Sequence, residues 1–126
     1  MKLRIKGNSI RLRVTPSEVK RLLLRGEIQE HVQITPNPMD RLTYAVVSAR
    51  CGETLTVAYH LGDITVSVPE VELKKWAESD DVGVYADLAR GDDGSLSVAI
   101  EKDFACLDRS DAENEDTFAN PNLAAC

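Results

Sequence analysis

The chain has 126 residues, 43% of them apolar and 29% charged, with a net charge of −6. A chain of this length buries roughly two thirds of its unfolded surface, so one packed domain is expected without help from metals or disulfides. The acidic balance argues against a surface given over to nucleic acid. No stretch approaches the ~20 consecutive apolar residues of a membrane-crossing helix.

Along the chain, Leu3 and Ile5 alternate with Lys2, Arg4 and Lys6, the period-two pattern of a strand. After a turn at Gly7-Asn8, Ile10, Leu12 and Val14 face inward, with Arg11 and Arg13 outward. Thr15-Pro16-Ser17-Glu18 is a capping box with proline at the first helical position. The helix it opens presents Val19, Leu22 and Leu23 and stops at Gly26. Ile28, Val32 and Ile34 mark a third strand, residues 34–40 a proline-broken connection, and residues 42–49 a fourth strand.

A shift of 54 residues repeats the pattern without a gap. Leu55, Val57 and Tyr59 are strand-like, and Ile64, Val66 and Val68 fall opposite Ile10, Leu12 and Val14. Pro69 opens a helix whose Leu73, Trp76 and Ala77 match Val19, Leu22 and Leu23. Val82, Val84, Ala86 and Leu88 match the third strand, and Leu96, Val98 and Ile100 the fourth. The identities are few: Ile10/Ile64, Val14/Val68, Glu18/Glu72, Lys20/Lys74, Leu42/Leu96 and Ala45/Ala99. Two origins stay open, an internal ββαββ duplication and two halves that converged. The expected fold is α+β, a mainly antiparallel sheet of about eight strands with two helices on one face. Residues 1–103 form one domain with pseudo-repeats 1–54 and 55–108, and residues 104–126 form an acidic C-terminal segment, partly packed.

The cysteines, Cys51, Cys106 and Cys126, are odd in number with no CxxC pair or zinc spacing, which reads as a reducing compartment. The start, MKLRIKGN, lacks the hydrophobic run of a signal peptide. A cytoplasmic location is expected.

Charge is unevenly placed: residues 1–25 carry +7 and residues 101–126 carry −5. Lys2, Arg4, Lys6, Arg11 and Arg13 share the outer face of one hairpin, where cross-strand neighbours lie ~5 Å apart. They form a candidate anion site, the plainer reading being a solvated edge that resists aggregation. The matching residues Thr56, Ala58, His60, Thr65 and Ser67 are nearly neutral. Interleaved aromatic residues for base stacking are absent, which argues against nucleic acid. His31 and His60 point outward without partners at metal spacing, so no metal or cofactor is expected. Trp76 and Tyr44 read as core residues, Cys51 as a bystander. No nucleophile elbow, phosphate loop, dinucleotide fingerprint or HExxH is present.

MKLRIKGNSIRLRVTPSEV at the start, with IEKDFACLDR…ENEDTFANPN at the end, resembles a family of small bacterial proteins of unknown function. By that resemblance Lys102, Asp103, Phe104, Cys106, Arg109, Glu115, Asp116, Asn120 and Pro121 belong to a recurring tail pattern, although Phe118-Ala119 interrupts its usual aromatic-Pro-Asn-Pro ending. The resemblance implies no activity.

Physically, residues 103–107 are apolar enough to pack along the sheet, residues 108–117 have the composition of disorder, and Phe118 and Leu123 are further anchors. The acidic run is expected to lie across the basic hairpin. Cys106 reads as a small buried apolar residue or as a thiol activated by Lys102 and Arg109. The functional expectation is a non-enzymatic binding or accessory protein recognising an acidic partner or small anionic ligand through the basic hairpin. The alternatives are a metal- or thiol-dependent enzyme centred on Cys106 and tail carboxylates, and a homodimeric structural subunit.

Overall fold

The computed structural model describes residues 1–106 and 109–122. The expectations for Asp108 and for Leu107, Leu123 and Cys126 lie outside these. The described elements run β1 (Lys2–Ile5), β2 (Ser9–Val14), α1 (Pro16–Arg25), β3 (Glu27–Gln33), β4 (Arg41–Ala49), β5 (Thr56–His60), β6 (Asp63–Pro69), α2 (Glu70–Ala77), β7 (Gly83–Ala89), β8 (Ser95–Lys102) and α3 (Asp111–Asn114). The fold is α+β with eight strands among the described residues.

The strands divide between two mixed sheets, of order β1-β2-β8-β7 and β3-β4-β6-β5, where one mainly antiparallel sheet was expected. Each sheet joins a hairpin from one half of the chain to a hairpin from the other through a central parallel pair, β2 with β8 and β4 with β6. The reason is α1: it carries the chain away from β2, so β3 starts the second sheet. Both sheets and both longer helices feed one apolar cluster, whose fully buried members include Leu12, Leu22, Val46, Val66 and Ile100.

Local sequence explains the helices. The Thr15 hydroxyl accepts from the Glu18 amide while Glu18 Oε1 accepts from the Thr15 amide at 2.9 Å, a complete capping box. Gly26, at φ +80°, closes α1 by donating its amide to Leu22 O at 2.9 Å, a left-handed conformation that glycine adopts without strain. Leu23 is 40% exposed, so the buried stripe of α1 is Val19 and Leu22. Helix α2 follows Pro69 with no side-chain cap.

The halves share connectivity and most registers. Leu3 pairs with Leu12 as Val57 pairs with Val66, and Leu12 lies beside Ile100 as Val66 lies beside Val46, each set separated by 54 residues. The agreement is not gapless. Val46 faces Ile28, but its counterpart Ile100 faces Val84, two residues beyond the expected Val82. The link after α2 (residues 78–82) is longer than the single Gly26, and the turn at 90–94 is shorter than that at 34–40. Val82 consequently lies outside its strand and is 48% exposed, while Val84 is buried.

The tail is more ordered than its composition suggests. Ser110 and Glu113 form a second capping box at the start of α3, a signature legible in Ser-Asp-Ala-Glu that a reading by charge passes over. Phe104 and Phe118 form a parallel bridge, their ring centroids 6.0 Å apart. The Asp103 amide donates to Val14 O at 2.9 Å, so the tail leaves β8 still held to β2.

Candidate functional site

The outer face of the first sheet gathers the basic hairpin residues. Lys2 faces Arg13 and Arg4 faces Arg11 across β1 and β2. Arg4, Lys6, Ser9 and Arg11 line a depression of about 150 Å³. An adjoining depression of about 290 Å³ shares Ser9 and Arg11 and adds Tyr85, Asp87 and Ser97 from β7 and β8. The face therefore grades from basic on β1 and β2 to neutral and acidic on β7.

Two cations of this face have built-in partners. Arg11 Nε lies 3.0 Å from Glu101 Oε1, and Lys2 Nζ lies 3.0 Å from Asp103 Oδ2. Glu101 also accepts from Tyr85 Oη at 2.8 Å; burial first, and then that carboxylate, push the phenol up to about 12. Among the described residues these direct ion pairs come from the end of β8 and the residue after it, while Glu113 of the acidic run is coupled to Lys2 only through their charges. In the described part of that run, Asp116 accepts from the Ser17 amide and hydroxyl at the start of α1. Those bonds, the hydroxyl's first, hold Asp116 below the usual carboxylate range. Asp111, Glu113 and Glu115 are exposed.

A second constellation forms where Arg13 meets the tail. Arg13, Lys102, Phe104, Cys106, Arg109 and Asn120 surround a cavity of about 250 Å³. Val82 and Glu101 complete the described lining, and the five others besides Arg13 belong to the tail pattern of the sequence, so the structure brings hairpin and tail residues together here. Asp103, 3% exposed, sits between two cations, with Arg109 Nη1 3.1 Å from its other oxygen. Two asparagines hold the backbone around Cys106: Asn114 Oδ1 accepts from the Cys106 amide at 2.8 Å, and Asn120 Nδ2 donates to Ala105 O at 2.8 Å. Asn114 was not singled out by sequence, since a side chain that clamps backbone carries no periodic signal.

Cys106 is 4% exposed, as the apolar reading expected, but it is disulfide-bonded. This corrects the expectation of reduced cysteines and of an available thiol there. Cys51 is free and exposed. His31 and His60 are exposed on separate strands, and no described group of His, Cys, Asp or Glu is arranged to hold a metal ion. Trp76 and Tyr44 are core residues, 2% and 8% exposed.

A third cluster lies at the chain start. The Met1 amine donates to Glu18 Oε2 at 2.5 Å and to Glu30 Oε1 at 3.0 Å, and Tyr44 Oη donates to Glu30 Oε2 at 3.0 Å. It ties β1, α1, β3 and β4 together. Position 1 carried no side-chain signal, and Glu18 looked like a cap alone.

Fold and faces together define a small α+β protein with a basic sheet face and a cationic cavity beneath its tail. The model of a family of unknown function, DUF7009, matches residues 1–122, and the chain belongs to that family. No curated protein and no solved structure matches it. No helix among the described residues is long and apolar enough to cross a membrane.

Proposed function

We propose that this is a non-enzymatic binding protein that recognises an anionic group, on an acidic partner or a small ligand, through the outer face of β1 and β2. The observation that carries the reading is the depression formed by Arg4, Lys6, Ser9 and Arg11: three cations, beside a Ser9 hydroxyl that donates to Lys6 O, with no carboxylate among its described lining residues. Convergent donors of this kind suit carboxylate or phosphate oxygens. The C-terminal segment modulates the face indirectly, through Arg109, which shares Asp103 with Lys2. The shared registers support descent of the two halves from one ββαββ unit, with the basic face added to only one of them.

The test is calorimetric titration at low salt with pyrophosphate and with hexaglutamate. The comparison protein carries Arg4→Ala, Lys6→His and Arg11→Thr, the residues that the second hairpin has at these positions. Saturable binding of either probe, weakened by added salt and lost in the variant, is expected. No binding, or equal binding by the variant, overturns the reading.

A homodimeric subunit is favoured by one further observation. Ile34, Met39, Tyr59 and Leu61, all at least 63% exposed, gather around a depression at one end of the second sheet. A dimer mass by light scattering that Leu61→Glu reduces to a monomer supports it; a wild-type monomer removes it.

A further inference from the structure

Lys102 is an unusual element of this fold. Val98, Ile100 and Lys102 share the inward parity of β8, and Lys102 is only 6% exposed. Its ammonium donates to Ser79 O at 2.5 Å and lies 5.6 Å and 6.0 Å from the ring centroids of Phe118 and Trp76. No described carboxylate pairs with it, and neighbouring Asp103 is engaged by Lys2 and Arg109. A buried charge is costly unless paired or ligated. One carbonyl and two ring faces leave part of a three-proton donor without a strong acceptor.

Lys102 lines two cavities, and its ammonium partners Ser79 and Phe118 both belong to the larger one. Among its described lining residues, the one of about 250 Å³ adds Arg13 and Arg109 against Glu101. The other, about 690 Å³, is walled chiefly by Ala77, Val82, Phe104, Phe118 and Pro121, with exposed Asp80 also in its lining. They share Val82, Lys102, Phe104 and Asn120. An apolar chamber of this size with a few convergent polar groups is the usual form of a small-molecule site.

We infer that the larger cavity is a binding site for an amphiphilic carboxylic acid. The carboxylate sits on Lys102, and the hydrocarbon body lies against Phe104, Phe118 and Val82. The inference is independent of anion recognition by the hairpin, because the outer depression and this site share no described residue.

Trp76 is the sole tryptophan, and its indole donates to Val82 O at 3.1 Å, so its emission reports on the site. Decanoate, used below its micellar concentration so that only the free acid is tested, is titrated against decanol and acetate. A saturable change with decanoate is expected, with decanol at least about tenfold weaker and acetate silent, as a charge-assisted contact and an apolar body both contribute. Lys102→Met keeps the stem and removes the ammonium; it should weaken decanoate at least about tenfold and leave decanol unchanged. Val82→Phe, at a half-exposed wall, should weaken both, and it carries the test should the Lys102 variant not fold. The hairpin variant Arg4→Ala, Lys6→His, Arg11→Thr should bind decanoate normally. The inference is overturned by no saturable response, by decanol binding as tightly as decanoate, or by decanoate binding that neither Lys102→Met nor Val82→Phe alters.

Discussion

The two outer hairpins, β1–β2 and β5–β6, have the same pairing register and opposite surface chemistry. Residue for residue at a separation of 54, Leu3, Ile10, Leu12 and Val14 on the inner face become Val57, Ile64, Val66 and Val68. On the outer face Lys2, Arg4, Lys6, Arg11 and Arg13 become Thr56, Ala58, His60, Thr65 and Ser67. The same ladder is built in both places, so the ladder does not require the charges. The inner row specifies the hairpin through burial; the basic outer row of the first needs a different cause, and binding supplies one.

The strongest way to break this comparison is to show that the inner rows are not equivalent. Leu12 and Val66 are both fully buried, at matching positions. Leu12→Ala is expected to cost about 2–5 kcal/mol. Val66→Ala, which deletes one carbon fewer, should cost about 2 kcal/mol from ~0.8 kcal/mol per methylene plus a cavity contribution. Urea unfolding measures both. A loss below about 1 kcal/mol at either position would mean that one half does not depend on its inner row.

The helices offer a sharper contrast, because Glu18 and Glu72 are the same residue at matching positions. Glu18, 4% exposed, accepts from the Met1 amine and the Thr15 amide. Glu72 is half-buried, and its helix lacks a side-chain cap. Glu18→Ala leaves a partly buried ammonium with one fewer carboxylate and should cost about 1.5–3 kcal/mol, the range of hydrogen bonds to charged groups. Glu72→Ala should stay within about 0.5 kcal/mol. Equal losses in thermal unfolding would show that helix position, not the Met1 contact, determines the value of the glutamate.

Alternation of apolar residues made the strands and their inner faces legible, because burial on one face writes itself at period two. It could not reveal which hairpins become neighbours. Ile10 and Val98 lie side by side in a parallel pair although 88 residues separate them, and no local pattern encodes that contact. The two-residue offset of β7 was hidden for a related reason: Val82 and Val84 share a parity, so either could have faced Ile100. Lys102 was legible but unread. Its parity with Val98 and Ile100 put it on the inner face, while the family resemblance assigned it to the tail pattern. The convergence of Arg13 with Arg109 and Asn120 was not legible at all, since it depends on the strand order.

A smaller effect separates the two hairpins at their starts. Met1 corresponds to Leu55, a buried residue with an ordinary peptide nitrogen. Burial alone would depress the Met1 amine, but hydrogen bonds to Glu18 and Glu30 outweigh it and raise it above the usual 8.0. A group raised on folding contributes fully below its unfolded value and loses that contribution as pH rises through the folded one. One alanine added ahead of Met1 displaces the charge and should lower the urea midpoint at pH 7. The gap between the two proteins should narrow toward pH 10; a constant gap would assign it to sterics.

The smallest expected effect bears most directly on the comparison. Arg4→Ala, Lys6→His and Arg11→Thr together write the second hairpin's surface onto the first. Among the described residues only Arg11 loses an ion pair, and Glu101 keeps the Tyr85 hydroxyl as donor at 2.8 Å. Pairs with an exposed partner contribute about 0–1 kcal/mol, and clustered like charges relieve repulsion when removed. The net change in unfolding free energy should therefore stay within about 1 kcal/mol, with an unaltered urea slope. A larger loss would make the basic row part of what holds the first sheet together. A loss confined to this window, alongside abolished anion binding, separates the surface that recognises from the ladder that supports it.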